Sequence, residues 1–233
     1  MVTARLPPPG TDHALIVRHR GLGALYLVSG LSFLAAVLNP PLLTYWGDDR
    51  AAALRLAATH RDAWTATVWL LSLAVVAGAG AVWITSALLR TASASLANAI
   101  YLIGAALGVA SMTFDLAVTS TQLDTADAAD WFLGVASWAD GLGTAYFAVL
   151  SPVALIALGV AVLRHGMLPR WTAIVLLVAA AALLGQFVTL HGALPFPQFL
   201  AFLAIGVRLI VRPLAGPGTH LSPTTPGTAP EGA

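Results

Sequence analysis

The feature that most constrains this chain is a series of apolar runs, each about 20 residues long and almost free of charge. A helix of about that length crosses a hydrocarbon layer roughly 30 Å thick. Hydrophobic residues make up 58% of the 233 residues and charged residues only 9%, whereas a soluble domain carries about 25% charged residues. A soluble fold of this size cannot bury so much apolar surface. We therefore predict an integral membrane protein.

The apolar runs predict an all-α fold, a polytopic bundle of six transmembrane helices. They cover residues 21–38, 64–89, 96–118, 141–163, 171–190 and 195–211. A start of the fourth run at Trp131 would make this span either long and tilted or preceded by an interfacial half-helix. Residues 1–20 then form a cytoplasmic N-terminal segment and 21–212 the transmembrane domain. Residues 213–233, rich in Pro, Thr and Gly, form a disordered cytoplasmic tail.

The arginines predict the orientation, because positive charge is retained on the cytoplasmic side of a membrane. With the N-terminus inside, the cytoplasmic segments hold Arg5, Arg18, Arg20, Arg90, Arg164, Arg170, Arg208 and Arg212. The outer segments hold only Arg50, Arg55 and Arg61. This asymmetry predicts that both termini are cytoplasmic and that the chain is a multi-pass protein of the cell inner (plasma) membrane.

Charge and composition exclude several classes of function. A net charge of +1 provides no basic face for nucleic acid. The chain has no cysteine, which excludes thiol catalysis and thiolate metal sites. His60, Asp62 and His191 lack the spacing of a specific metal motif, and we expect neither a metal nor another cofactor. The expected partners are the lipid bilayer and a lipophilic small molecule, and the sequence does not indicate an oligomeric state.

Two carboxylates fall within or at the end of predicted spans, where ionisable groups are costly and therefore candidates for function. Asp115 lies near the outer end of the third span and Asp140 at the outer end of the fourth. Capping is the competing interpretation for Asp140, which precedes Gly141, and for Asp62, which precedes the second span. Asp115 lies inside a span, where no cap is needed, although contact with headgroups and water is an alternative.

Stripes of small and hydroxylated residues suggest how these acids meet. The third span carries Gly104, Gly108, Ser111, Asp115 and Thr119 at helical spacing. The fourth carries Ser137, Gly141, Thr144, Ala148 and Ser151. Such faces let helices approach closely, and we expect them to pack together and bring Asp115 and Asp140 into one pocket. Pro152 frees a backbone carbonyl near Ala148, which predicts a kink below that pocket.

Aromatic residues cluster in sequence near the two acids. The candidate cavity-lining and substrate-binding residues are Trp69, Phe114, Trp138 and Tyr146, with His191 and Asp62 as polar contributors. Aromatic faces stabilise cations, and a carboxylic acid in an apolar pocket can remain protonated and act as an acid. Proton-initiated chemistry on a polyene requires this combination. Aromatic side chains also pack ordinary cores, which is the competing interpretation.

Two short motifs resemble those of small actinobacterial multi-pass membrane protein families of unknown function. They are RHGMLPRW, from Arg164 to Trp171 between two spans, and RGLGALY, from Arg20 to Tyr26 at the start of the first span. In size and architecture the chain also resembles bacterial integral-membrane terpene cyclases of natural product biosynthesis. That resemblance implies an acid that protonates an alkene or epoxide.

Three functions therefore remain open at this point. The first is a membrane-embedded enzyme for an isoprenoid-type substrate, in which Asp115 is the general acid and Asp140 its partner or base. The second is a small carrier that uses the same outward polar pocket, with Asp115 as a coupling site. The third is an accessory subunit without catalytic activity, whose acids only bridge helices.

Overall fold

The computed structural model describes residues 11–39, 42, 59–121, 128–166, 168–190 and 194–211. Within these ranges, side chains are described except at residues 11–18, 115, 117–121, 128–134 and 136. Helix is the only regular secondary structure among these residues. The helices are α1 (Thr11–Val37), α2 (Arg61–Leu89), α3 (Ala92–Thr121), α4 (Ala128–Thr144), a π-helix (Ala145–Leu150), α5 (Ser151–His165), α6 (Arg170–Leu190) and α7 (Phe196–Val211). The predicted tail 213–233 lies outside the described residues.

Five helical segments are long and apolar enough to cross a membrane. They are His19–Val37, Arg61–Leu89, Ala92–Phe114, Ser137–His165 and Arg170–Leu190. Helix α4, the π-helix and α5 are continuous in sequence, so they provide a single crossing. The sixth predicted span, α7, has 16 residues, which corresponds to about 24 Å of helix. The predicted all-helical fold is thus confirmed for the described residues, and five of the six predicted spans are long and apolar enough to cross a membrane, with α7 shorter.

The first three helices run antiparallel to their neighbours. The hydroxyl of Tyr26 lies 2.9 Å from that of Thr85, and at the other end of the helix pair the Asn39 amide donates to the Ala63 carbonyl at 3.3 Å. Between α2 and α3, the Ser72 hydroxyl lies 3.7 Å from the Met112 sulfur. These contacts place the start of α1, the end of α2 and the start of α3 at one end of the bundle.

Helix α7 packs against α1 with no room for a side chain at two glycines, Gly30 and Gly206. A Cβ atom on Gly206 would lie 2.5 Å from the Leu27 nitrogen, and one on Gly30 would lie 2.9 Å from the Leu203 nitrogen. Farther along, the rings of Phe33 and Phe199 stack at 4.5 Å. Residue numbers rise along α1 as they fall along α7, so the two helices are antiparallel. The start of α1 and the end of α7 therefore lie at the same end of the bundle.

The described arginines lie mostly at this same end, here called the basic end. They are Arg20, Arg90, Arg164, Arg170 and Arg208. At the opposite end the described charged side chains are Arg61, Asp62 and Asp140. The bundle is therefore polarised along its axis, as the sequence predicts.

The end of α2 has an unusual backbone. Arg90 adopts φ 51° and ψ 40°, in the left-handed region, and its N–H donates to the Ser86 carbonyl. Glycine or asparagine is the usual residue at such a helix end, because a Cβ atom is strained there. This conformation turns the chain sharply and allows α3 to begin two residues later, at Ala92.

Candidate functional site

The third and fourth spans pack together, as the stripe on α3 predicts. A Cβ atom on Gly104 or Gly108 would lie 2.8 or 2.7 Å from the ring of Tyr146. One helical turn farther along, a Cβ atom on Gly143 would lie 3.5 Å from the Ser111 hydroxyl. The glycines of α3 thus form a shallow recess that receives the Tyr146 ring.

The contact between α3 and α4 places the two candidate acids at one level. Asp115 follows Ser111 by four residues, and Asp140 precedes Gly143 by three. Because the helices are antiparallel, both positions lie about one turn beyond the Ser111–Gly143 contact, toward the opposite end of the bundle. Asp140 is half-buried, and the side chain of Asp115 lies outside the described residues.

Neither Asp140 nor Asp62 is an N-cap. Helix α4 continues through Asp140 from Ala128 to Thr144, so no helix begins at Gly141 and the capping interpretation is wrong. Helix α2 begins at Arg61 with His60 as its N-cap, and Asp62 is exposed in the first turn. There its carboxylate is still favoured by the positive end of the helix dipole.

The candidate aromatic residues do not surround one enclosed space. Trp69 is 63% exposed and Trp138 is 62% exposed, so both indoles lie on the outer surface of the bundle. Phe114 is half-buried, and Tyr146 is fully buried on the inner side of the fourth span. His191 lies outside the described residues. The two tryptophans can therefore contact lipid or a substrate dissolved in it, whereas Tyr146 cannot.

Tyr146 belongs instead to a buried polar network that the sequence analysis did not identify. The Tyr146 hydroxyl donates to the Tyr101 hydroxyl at 2.9 Å. The Gln198 amide nitrogen donates to Tyr101 at 2.6 Å and to Tyr146 at 3.0 Å, and the Ser151 hydroxyl donates to the Gln198 carbonyl oxygen. All four residues are fully buried. The network joins α3, the π-helix, α5 and α7.

The network lies near the middle of the bundle. Tyr101 is nine residues from the start of α3, about 14 Å along the helix, and Gln198 is ten residues from Arg208, about 15 Å. These distances are half of a hydrocarbon layer roughly 30 Å thick. At this depth lipid offers no hydrogen bonds, so each hydroxyl and amide needs a protein partner.

The π-helix explains why Tyr146 and Ser151 both reach Gln198. In a regular α-helix, side chains five positions apart point about 140° away from each other. Tyr146 and Ser151 would then lie on different faces. The Ser151 N–H instead donates to the Tyr146 carbonyl, the five-residue spacing of a π turn. Pro152 follows directly and has no N–H. The sequence predicts a kink at this proline, and the structure has a π-helix over Ala145–Leu150.

The π-helix also divides the predicted stripe of small and hydroxylated residues on the fourth span into two parts. Ala148 and Ser151 are buried, whereas Ser137, Gly141 and Thr144 are exposed. The prediction that all five share one packing face is wrong, because the extra residue of the π turn rotates the face between Thr144 and Ala148. Gly143, Tyr146 and Leu150 contact α3 instead.

Gln198 could have been identified from the sequence, since it is an amide side chain within an apolar run. An unpaired amide is costly in lipid, as an ionisable group is, so its position within a span is the signal. Tyr101 had no comparable signal. In the described part of the chain, no three His, Asp or Glu side chains come together as metal ligands.

Comparisons with protein-family models, with curated proteins and with solved structures each gave no match to this chain. Function is therefore inferred from the chemistry and placement of its own residues.

Proposed function

We propose that this protein is a membrane-embedded enzyme acting on a lipophilic, isoprenoid-type substrate. The observation that carries the proposal is the common level of Asp115 and Asp140 on two helices in direct contact. In this proposal Asp115 donates a proton and Asp140 accepts one. Two acidic side chains one turn beyond a tight helix contact cost free energy in a membrane. Such residues are therefore candidates for a functional role.

The proposed reaction is proton-initiated cyclisation, and its atoms balance without a cofactor. The Asp115 proton adds to one carbon of a terminal alkene, or to an epoxide oxygen whose C–O bond then breaks. The resulting carbocation forms a bond to an internal alkene of the same molecule. A neighbouring carbon loses its proton to the Asp140 carboxylate, and proton transfer back to Asp115 resets the pair. The product is an isomer of the substrate.

The exposed tryptophans support entry of the substrate from the lipid. Ser72 on α2 contacts Met112 on α3, so Trp69, about one turn beyond Ser72, lies at the level of Asp115. Trp138 lies two residues before Asp140 in α4, and its indole is exposed on the outside of the bundle. Indole faces attract a carbocation, and a substrate dissolved in the bilayer reaches both without crossing the core.

The first test uses Asp115→Asn, which keeps the size of the side chain but removes its acidic proton. Membranes in D₂O are incubated with a panel of prenylated and epoxidised prenyl compounds, and mass spectrometry follows isomers that carry one deuterium. We expect wild type to form such an isomer and Asp115→Asn to lower its rate by about 10²–10⁴-fold, the range for loss of a general acid.

The control for this test is Asp12→Asn, at the second position of α1 and at the opposite end of the bundle from the acid pair. It should retain the wild-type rate. An isomer formed equally by Asp115→Asn, or no isomer from correctly folded wild type with any compound, would contradict the proposal.

A non-catalytic accessory role is the second candidate, and one observation favours it. Within the described residues, the hydrogen bonds of the buried polar cluster around Gln198 join helices of the bundle to one another, which is a packing role. An accessory protein should tolerate Asp115→Asn with no change beyond stability.

We further propose that the basic end faces the cytoplasm, with six crossings and both termini inside. The described arginines at that end support this orientation through the positive-inside rule. The acid pair then lies in the outer half of the membrane.

This topology can be tested by cysteine labelling, because the chain has no cysteine of its own. His220→Cys in the tail and Ala51→Cys between the first two helices are each treated in intact cells with a membrane-impermeant maleimide. We expect labelling of Ala51→Cys in intact cells and of His220→Cys only after the cells are opened. The reverse pattern would invert the proposed orientation, and labelling of both in intact cells would mean an odd number of crossings.

A further inference from the structure

A groove opens on the lipid-facing side of α1 and α2, near the basic end and far from the acid pair. It is lined by Gly21 and Leu22 of α1 and by Trp83, Ile84 and Ala87 of α2, with a volume of about 360 Å³. This is within the range of roughly 300–1,000 Å³ found for clefts that hold small ligands. The Trp83 indole is 58% exposed. The lining offers hydrocarbon contacts and, from that indole, one N–H donor.

Two arginines stand at the basic end of this groove. Arg20 directly precedes Gly21, and Arg90 follows Ala87 by three residues, about one helical turn. The contact of Tyr26 with Thr85 sets the register of the helix pair. Arg20 is six residues before Tyr26 and Arg90 is five residues after Thr85, so the two arginines lie at the same level on antiparallel helices.

Neither guanidinium is neutralised within the described part of the chain. Both side chains are exposed, and the described acidic side chains, Asp62 and Asp140, lie at the opposite end of the bundle. Two cations at one level above an apolar groove complement a ligand with an anionic head and a hydrocarbon tail. Arginine suits a phosphate because its planar fork forms paired hydrogen bonds with two oxygens.

The backbone at Arg90 adds a second reason. Its left-handed conformation favours glycine or asparagine, yet an arginine occupies it. The helix dipole stabilises a positive charge at the end of α2. An arginine anywhere in the last turn would gain this stabilisation, so it does not explain the choice of this position. At this particular position the side chain also begins beside the groove, one turn from Ala87.

From these observations we propose that the groove binds an anionic phospholipid. One acyl chain lies along Gly21, Trp83 and Ile84, and the phosphate is bound by Arg20 and Arg90. Basic positions between transmembrane helices are a common way to hold such headgroups. This site is separate from the proposed acid pair, so the two proposals stand or fall independently.

The test is native mass spectrometry of the full chain in detergent. The protein is titrated with phosphatidylglycerol or with phosphatidylcholine that carries the same acyl chains. We expect wild type to bind one phosphatidylglycerol about tenfold more tightly than phosphatidylcholine. The variant Arg20→Gln/Arg90→Gly should lose this preference, and Arg90→Gly suits the left-handed backbone, so the fold should be retained.

A second variant tests the groove without changing charge. Gly21 has no heavy atom within 4 Å of the position a Cβ atom would take, so Gly21→Leu should fold and extend into the groove. We expect this variant to bind phosphatidylglycerol about tenfold more weakly than wild type does. Arg164→Gln, at the same end of the bundle but on α5, should bind as wild type does.

Three results would overturn the proposal. The first is equal affinity of wild type for the two lipids, and the second is unchanged lipid preference in Arg20→Gln/Arg90→Gly. The third is complete displacement of the lipid by an equal concentration of glycerol phosphate, which would show that the arginines bind a free phosphate and that the groove contributes nothing.

Discussion

Gly206→Ala is expected to lower the free energy of unfolding by about 2–3 kcal/mol, the upper part of the range for overpacking. The added Cβ atom would lie 2.5 Å from the Leu27 nitrogen and 2.9 Å from both the Leu27 Cα and the Gly23 carbonyl oxygen. All three are backbone atoms, which no side-chain rotation can move away. Helices α1 and α7 must therefore separate, and the close packing that stabilises helix pairs in lipid is lost.

Gly185→Ala is the matched control, because it makes the same change where no heavy atom lies within 4 Å of the added Cβ. Alanine is the better helix former by about 0.8–1.0 kcal/mol, so stability should be unchanged or raised. Both variants are unfolded by SDS in mixed micelles and followed by helical circular dichroism. Equal midpoints for the two would contradict the close contact between α1 and α7.

Gln198→Leu is expected to lower the free energy of unfolding by about 2 kcal/mol. It removes the two hydrogen bonds that the amide donates to Tyr101 and Tyr146 and the one it accepts from Ser151. Hydrogen bonds between membrane helices contribute about 0.6 kcal/mol each on average and up to about 1.7. The Ser151 hydroxyl, which is fully buried, is also left without its acceptor.

The matched control is Gln186→Leu on α6, where the amide oxygen is buried without a hydrogen-bond partner among the described residues. Removing an unpaired amide should leave stability unchanged or raise it. A double-mutant cycle adds Tyr146→Phe to Gln198→Leu. Because the two share one hydrogen bond, the combined loss should be smaller than the sum of the single losses. Additive losses, or equal losses for Gln198→Leu and Gln186→Leu, would mean that the network does not stabilise the bundle.

Local composition was enough to predict the class of fold. An apolar run about 20 residues long must satisfy its own backbone hydrogen bonds in lipid, and a helix does so without any neighbour. The predicted spans 64–89 and 171–190 therefore agree closely with α2 (Arg61–Leu89) and α6 (Arg170–Leu190). The first helix begins earlier than predicted, at Thr11, since Arg18 and Arg20 mark where hydrocarbon starts without ending the helix.

One helix contact of the candidate site was also predictable from the sequence. Gly104 and Gly108, four residues apart on α3, lie on one face whatever the rest of the bundle does. A face of this kind packs closely against a neighbour, and in the structure it receives Tyr146. The common level of Asp115 and Asp140 follows from the same contact.

Only the tertiary structure decided which side of each helix faces inward. In a membrane the lipid side of a helix is as apolar as the buried side, so the pattern that orients a helix in a soluble protein is weak. Trp69 and Trp138 therefore face outward while Tyr146 faces inward, and nothing in the local sequence separates them.

The contacts that join distant parts of the chain could likewise not be predicted from the sequence. Gln198 is 97 residues from Tyr101 and 47 from Ser151. The π turn that brings Tyr146 and Ser151 toward Gln198 is a local distortion stabilised by these non-local bonds. By itself the sequence determined a membrane-spanning helical chain, because lipid requires each run to satisfy its backbone alone. The tertiary structure decided the buried polar network, because its hydrogen bonds exist only when three separate segments of the chain meet.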